Sequence, residues 1–338
     1  MHDDADVLYS VKNLLVEYHT RGGIVPAVDR VSLDIKKGEV LGLVGESGCG
    51  KSTFGKALMR MIQAPGEIIS GELWFEGVEL LSLPEREMRD WRGSRVSMIF
   101  QDPLTSLNPV QRIADHIVEA IRVHQPNTRK DQALTRAERL IERLGIPKRR
   151  LLDYPHQLSG GMRQRTMISL GLSLNADLII ADEATTSLDV IVEAKLVDQL
   201  QQIREEFGIT LLLITHNIAL VAQIADRVAV MYAGKIVEVG SVYQVFDNPL
   251  HPYTQGLLQA VPNIKFDERE DLYKMPGEPP NLSCPPAACR FHPRCPHAMP
   301  ICSRVEPELL TVFSGRGGAC WLYQDHPEKE EPKLEVVV

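Results

Sequence analysis

The sequence predicts an α/β fold. A parallel sheet covered by helices on both faces is joined by an antiparallel β subdomain, a helical subdomain and a loop-rich C-terminal extension. Three observations predict it. Short apolar runs alternate with amphipathic segments. One central stretch carries helical patterning with no strand run. Cysteine and proline gather at the end: five of the six Cys follow residue 280, and 13 of the 22 Pro lie in residues 251–338. At 338 residues and 44% hydrophobic, the chain can bury a full core and more than one unit, and it is too apolar for a disordered chain.

Residues 7–37 and 67–81 show β-like alternation and are read as an antiparallel sheet. Glu39–Val44 (EVLGLV) is a short apolar run ending in glycine, a buried strand followed by a turn. Arg95–Phe100 (RVSMIF), Asp177–Ala181 (DLIIA) and Thr210–Thr215 (TLLLIT) are similar runs. Between the last two, Val192, Leu196, Leu200 and Ile203 recur at helical spacing. Strands alternating with such helices imply a parallel sheet. Val110–Arg149 reads as a helical insertion. The expected division is an α/β unit over 1–250, with its helical part at about 103–160, then an extension over 251–324. The extension cannot bury much core unaided. The tail 325–338 (DHPEKEEPKLEVVV) reads as disordered.

Lys+Arg total 37 against 45 Asp+Glu, a formal charge of −8, which argues against bulk electrostatic binding to nucleic acid. No stretch approaches the ~18 apolar residues of a membrane span. The acidic start, Met1–Asp6, does not read as a secretory signal. A cytoplasmic setting is therefore expected, in which cysteines are thiols or metal ligands before disulfides.

Gly45-Glu46-Ser47-Gly48-Cys49-Gly50-Lys51-Ser52-Thr53 fits G-x-x-x-x-G-K-[ST] directly after the EVLGLV strand. Glycines let the backbone turn its N–H groups onto phosphate oxygens. A helix starting near Lys51 presents its positive end to the same anion. Lys51 is suited to the β/γ-phosphates of ATP and Ser52 to Mg²⁺. Cys49 reads as a small filler side chain. The DLIIA strand ends in Asp182 and Glu183. Asp182 is placed as the Mg²⁺ partner, and Glu183 to polarise a water for attack on the γ-phosphate.

Four further motifs fall in order around these. Gln101 follows the RVSMIF strand, Leu158-Ser159-Gly160-Gly161-Met162 precedes the DLIIA strand, Ser187-Leu188-Asp189 follows the carboxylate pair, and His216 follows the TLLLIT strand. The ordered set resembles the ATP-binding subunits of ABC transporters. That resemblance implies a P-loop NTPase fold with a RecA-like parallel core, an antiparallel β subdomain and a helical subdomain. It implies that Gln101 senses Mg²⁺ and the attacking water, that His216 touches the γ-phosphate, and that Tyr18 faces the adenine ring. It also implies that Ser159, Gly160, Gly161 and Asp189 act in a nucleotide site shared between two subunits. The ATP site is expected to lie wholly within residues 18–216.

The stretches Gln101–Pro109 (QDPLTSLNP), Tyr154–Arg165 (YPHQLSGGMRQR), His251–Thr254 (HPYT) and Pro276–Pro280 (PGEPP) resemble the oligopeptide/dipeptide importer class. The resemblance implies a peripheral ATPase on the cytoplasmic face of the membrane. Its partners would be a second ATPase subunit, two transmembrane permeases touching about Pro103–Leu158, and through them an extracytoplasmic solute-binding protein. The solute is expected to be a peptide. Nickel chelates, glutathione and oligosaccharides are alternatives carried by similar systems. A non-transport ABC ATPase would usually carry two nucleotide domains or a long coiled-coil insertion, and neither pattern is present.

Cys289, Cys295, Cys302 and Cys320 are spaced C-x₅-C-x₆-C-x₁₇-C. A loop-rich segment benefits from a metal staple. Structural zinc usually uses tight C-x₂₋₄-C pairs, so the wider spacing suits a [4Fe–4S] cluster better. The family resemblance adds to this, since some peptide-importer ATPases carry such a cluster. Zinc, with His292 or His297 as a further ligand, and four metal-free thiols remain open, and Cys284 is a spare.

Overall fold

The computed structural model describes residues 6–100, 106–183, 201–202, 204, 208–260, 275–313 and 315–325. The antiparallel sheet has four strands. β1 (Val7–Thr20) pairs with β2 (Gly23–Lys36) on one side and β4 (Gly66–Phe75) on the other, and β5 (Val78–Glu79) closes the edge. The second sheet has eight strands. Five are parallel, in the order β9 (Arg227–Tyr232), β3 (Val40–Val44), β8 (Thr210–Ile214), β7 (Leu178–Asp182) and β6 (Val96–Ile99). Every residue of β3, β6, β7 and β8 is buried. That is why these strands read as unbroken apolar runs: both faces are covered. One cluster joins β3, β7 and β8 to the antiparallel sheet through Phe54, Leu58, Tyr9 and Phe75.

Helix α1 (Lys51–Leu58) follows β3, and α2 (Glu85–Ser94) precedes β6. The helical insertion contains α3 (Ile113–His124) and α4 (Lys130–Arg143). Ile113, Ile117 and Ile121 of α3 pack on Ala133, Ala137 and Ile141 of α4 at three- and four-residue spacing. α5 (Gly160–Leu172) leads back to β7, α6 (Ile218–Ile224) to β9, and α7 (Val242–Asp247) and α8 (Pro252–Gln259) follow β10 (Lys235–Ser241). The helix expected over Ile191–Phe207 falls outside the described residues, apart from Gln201, Gln202 and Arg204.

The extension is no loose appendage. β12 (Arg316–Gly318) pairs antiparallel with β10, and β11 (Leu310–Phe313) pairs with β12, so the extension continues the main sheet. A fully buried carboxylate marks the joint. Glu238 of β10 accepts from the Arg316 guanidinium (2.8 Å) and from the backbone N–H groups of Leu250 (2.9 Å) and His251 (2.9 Å). Breaking such a pair from one side costs ~3–5 kcal/mol, because a charge is left buried alone. His251 is buried beside it. Its Nδ1 accepts from the Tyr253 N–H (3.0 Å), and burial lowers its pKa to about 3, so the ring is neutral. The three-residue Arg-Gly-Gly strand carries no period-2 signal, which is why sequence patterning passed over it.

Candidate active site

The phosphate loop runs from the end of β3 into α1. Its glycines are needed for close approach. Gly45 has φ +155° and a Cβ there would lie 2.1 Å from the Met231 carbonyl oxygen. Gly50 has φ +108° and a Cβ there would lie 2.0 Å from the Ala27 oxygen. The loop is thus pressed between β9 and β2 where no side chain fits. Ser47 and Gly48 are exposed at its tip. Lys51 is buried, and its Nζ donates to the carbonyls of Gly45 (2.8 Å) and Glu46 (3.0 Å). Cys49 is buried against the same ammonium, with burial pushing its thiol pKa up.

The acidic side of the site stands on neighbouring strands. Ser52 Oγ donates to Asp182 Oδ1 at 2.7 Å. Burial raises the Asp182 pKa, and the Ser52 hydrogen bond pulls it back. Glu183 follows β7 in a left-handed conformation, φ +47°, its N–H bonded to the Ile214 carbonyl of β8 at 2.8 Å. A non-glycine residue in that region is uncommon and clusters at functional sites. β8 then delivers His216, whose Nδ1 lies 3.5 Å from Glu183 Oε1. The glutamate side chain is mostly covered, and the histidine is more than half exposed. Lys51, Ser52, Asp182, Glu183 and His216 therefore meet at the carboxyl ends of three adjacent parallel strands, the usual ligand crevice of an open α/β sheet. The set offers one cation for phosphate, one hydroxyl–carboxylate pair for a divalent ion, and one carboxylate for a water.

Tyr18 of β1 reaches the same end, its hydroxyl 3.5 Å from Thr53 Oγ1. Ser159 caps α5, its hydroxyl accepting from the Met162 N–H (3.4 Å). Gly160 is exposed, with open space where a Cβ would stand. Gly161 is half-buried behind it. Ser159 and Gly160 are thus exposed at this helix start, between the buried Leu158 and Met162, which packs on the same cluster. Gln101 and Asp189 lie outside the described residues.

Glu46, inside the span 18–216 expected to hold the site, is also held from outside that span. Its N–H donates to the Tyr253 hydroxyl at 2.8 Å, and its carboxylate accepts from both terminal nitrogens of Arg294 at 2.8 and 2.9 Å. Both partners belong to the extension. No local pattern links residues so far apart, although HPYT is itself one of the class markers.

Comparison with known proteins bears on this arrangement. A family model described as "ABC transporter" matches residues 28–186, and one described as "Oligopeptide/dipeptide transporter, C-terminal region" matches residues 237–302. The chain is 45% identical over 94% of its length to the oligopeptide transport ATP-binding protein OppD of Escherichia coli (strain K12), of which it covers 94%. It is 42% identical over 94% of its length to the dipeptide transport ATP-binding protein DppD of Bacillus subtilis (strain 168), covering 96% of it. The chain belongs to the ABC transporter family, among its oligopeptide/dipeptide transport ATP-binding proteins.

Solved members of the family share the fold. The dimeric bacterial ABC transporter cassette MJ0796 aligns with a TM-score of 0.63 at 26% identity, over 69% of this chain and 98% of that one. Its post-hydrolysis dimer bound to ADP and Pi aligns with a TM-score of 0.64 at 25% identity, over 69% and 98%. Like those, this ABC ATPase is a mixed α/β cassette. Among its described residues no helix is long and apolar enough to cross a membrane.

In this ABC ATPase the cysteine-rich turn lies within and just beyond the matched C-terminal region. Cys289, Cys295, Cys302 and Cys320 line one pocket, with His251, His292 and His297 on its wall. Burial pushes the Cys289 thiol up to about 11 and Cys320 up to about 12. None of the six cysteines is in a disulfide, and Cys284 is exposed outside the pocket. Among the described residues, no group of three or more His, Cys, Asp or Glu is placed to hold a metal ion.

Proposed function

We propose that the chain hydrolyses MgATP to drive peptide import, as one of a pair of ATPase subunits on the cytoplasmic face of a membrane transporter. The observation that carries this reading is the Ser52–Asp182 pair beside Lys51 in the phosphate loop, with Glu183 and His216 closing the crevice. Lys51 neutralises the β/γ-phosphates, and Ser52 and Asp182 would hold the Mg²⁺ that withdraws charge from them. Glu183 takes the proton of the attacking water. His216 and Gln101 orient the γ-phosphate and that water, and Tyr18 packs on the base. The names of OppD and DppD support a peptide as the solute. In this reading residues 1–250 are the cassette and 251–324 the class-specific extension.

The exposed Ser159–Gly160 turn supports a composite site, since an uncovered helix start suits a nucleotide held by another subunit. Asp189 works at the same junction. The remaining partners are two permeases and a solute-binding protein acting through them. The purified chain is therefore expected to bind MgATP but turn it over slowly. Adding its partner ATPase and permeases should raise turnover by at least ~10-fold, as expected when a missing charge-stabilising group is supplied. An isolated chain already as active as the assembly would refute the shared site.

The four pocket cysteines are read as ligands of a [4Fe–4S] cluster. The four cysteines gathered on the wall of one pocket support this reading. The cluster would staple the turn and take no part in hydrolysis. Anaerobically purified protein should contain iron and sulfide in about four-to-four ratio per chain. Zinc alone, or an ordered turn with no metal, would overturn this.

A further inference from the structure

We propose that Arg294, with Tyr253, is a positioning residue for the ATP-binding loop: the C-terminal extension braces Glu46 and thereby sets the affinity for MgATP. This rests on the nucleotide-site reading above. The loop motif G-x-x-x-x-G-K-[ST] demands no carboxylate at Glu46. A free carboxylate there would oppose a polyphosphate by like-charge repulsion. Arg294 meets it with two parallel N–H···O bonds of 2.8 and 2.9 Å, a fork that fixes direction as well as charge.

Glu46 is held at three points. Its N–H donates to Tyr253, its carbonyl accepts from Lys51 at 3.0 Å, and its carboxylate accepts from Arg294. Arg294 is itself fixed. Its Nε donates to the Pro276 carbonyl at 2.9 Å, and its guanidinium lies over the rings of Tyr232 (5.8 Å) and Phe291 (5.9 Å). Tyr232, Tyr253 and Phe291 pack on one another, with centroids 4.5 to 5.5 Å apart. Tyr232 lies on β9, directly after Met231, whose carbonyl closes on Gly45. One aromatic cluster therefore ties the extension, a core strand and the back of the phosphate loop together. A loop held this way presents its N–H groups without having to be ordered by the ligand.

The test is MgATP affinity of the full-length chain, read with a fluorescent ATP analogue. Arg294→Met should weaken binding about tenfold, the effect of ~1.4 kcal/mol. The double variant Glu46→Gln/Arg294→Met should recover most of the loss, because the unpaired carboxylate is gone. A purely structural role for Arg294 would not be rescued in this way. Wild-type affinity in Arg294→Met, or a double variant no better than the single, overturns the proposal. Should Arg294→Met fail to fold, Arg294→Lys and Tyr253→Phe decide it. Lysine keeps the charge without the fork, and phenylalanine deletes only the hydroxyl. Both should bind MgATP several-fold more weakly, by about the worth of one hydrogen bond, and unchanged affinity in both overturns the brace. Lys51→Ala serves as the control: wild-type protein that fails to bind MgATP overturns the nucleotide site itself, whereas intact wild-type binding with unchanged brace variants overturns the brace alone.

Discussion

Glu183→Gln should lower ATP turnover in the assembled transporter about 10²- to 10⁴-fold, the usual contribution of a positioned general base. The substitution is nearly isosteric, so the left-handed backbone at φ +47° and its N–H bond to Ile214 need not change. The amide cannot accept the proton of the attacking water. Binding depends on other groups: Lys51, the loop N–H groups, and the Ser52–Asp182 pair held at 2.7 Å. MgATP affinity should therefore stay within a few-fold of wild type, the change expected when a group acts on the transition state and not on ground-state binding. The variant should accumulate as an ATP-bound, closed assembly. The check is steady-state phosphate release beside nucleotide retention. Turnover equal to wild type would remove Glu183 from the chemistry, and lost binding would make its role structural.

Much of this site is legible in the chain because its parts are local. A strand, a glycine loop and a helix start follow one another from Val40 to Leu58, so spacing alone describes the cradle. Asp182 and Glu183 declare themselves by ending an apolar run, and His216 by following the next one. What local pattern does not supply is the register that joins them. β8 lies between β3 and β7, and only that order brings His216 to Glu183. The fold follows the same rule. Buried parallel strands such as β7 and β8 show as unbroken apolar runs, and α3 and α4 show helical periodicity. The extension hides its structure because charge and glycine replace pattern there. Arg316 reads as a surface residue in a Gly-rich loop, yet it is buried against Glu238, and Arg294 sits in a proline-rich turn yet reaches Glu46. Buried ion pairs between distant segments leave no periodic trace in sequence.

The second large effect concerns Lys51. Its ammonium is the loop's one cation, and it is gathered onto the Gly45 and Glu46 carbonyls at 2.8 and 3.0 Å. Lys51→Ala removes that charge from a buried, low-dielectric position, where it counts for more than it would in water. ATP turnover should fall about 10²-fold or further, the scale seen when one transition-state stabilising group is deleted. The fold should hold, because Phe54, Ala57 and Leu58 of the same helix keep their place in the core. If ATP hydrolysis at this loop powers peptide import, transport must fall with it. The direct measurement is uptake of a labelled oligopeptide by cells that lack other peptide importers and carry the complete transporter, with either wild-type or Lys51→Ala protein at equal levels in the membrane fraction. Uptake at background with Lys51→Ala is the expected result; uptake at the wild-type rate would contradict it.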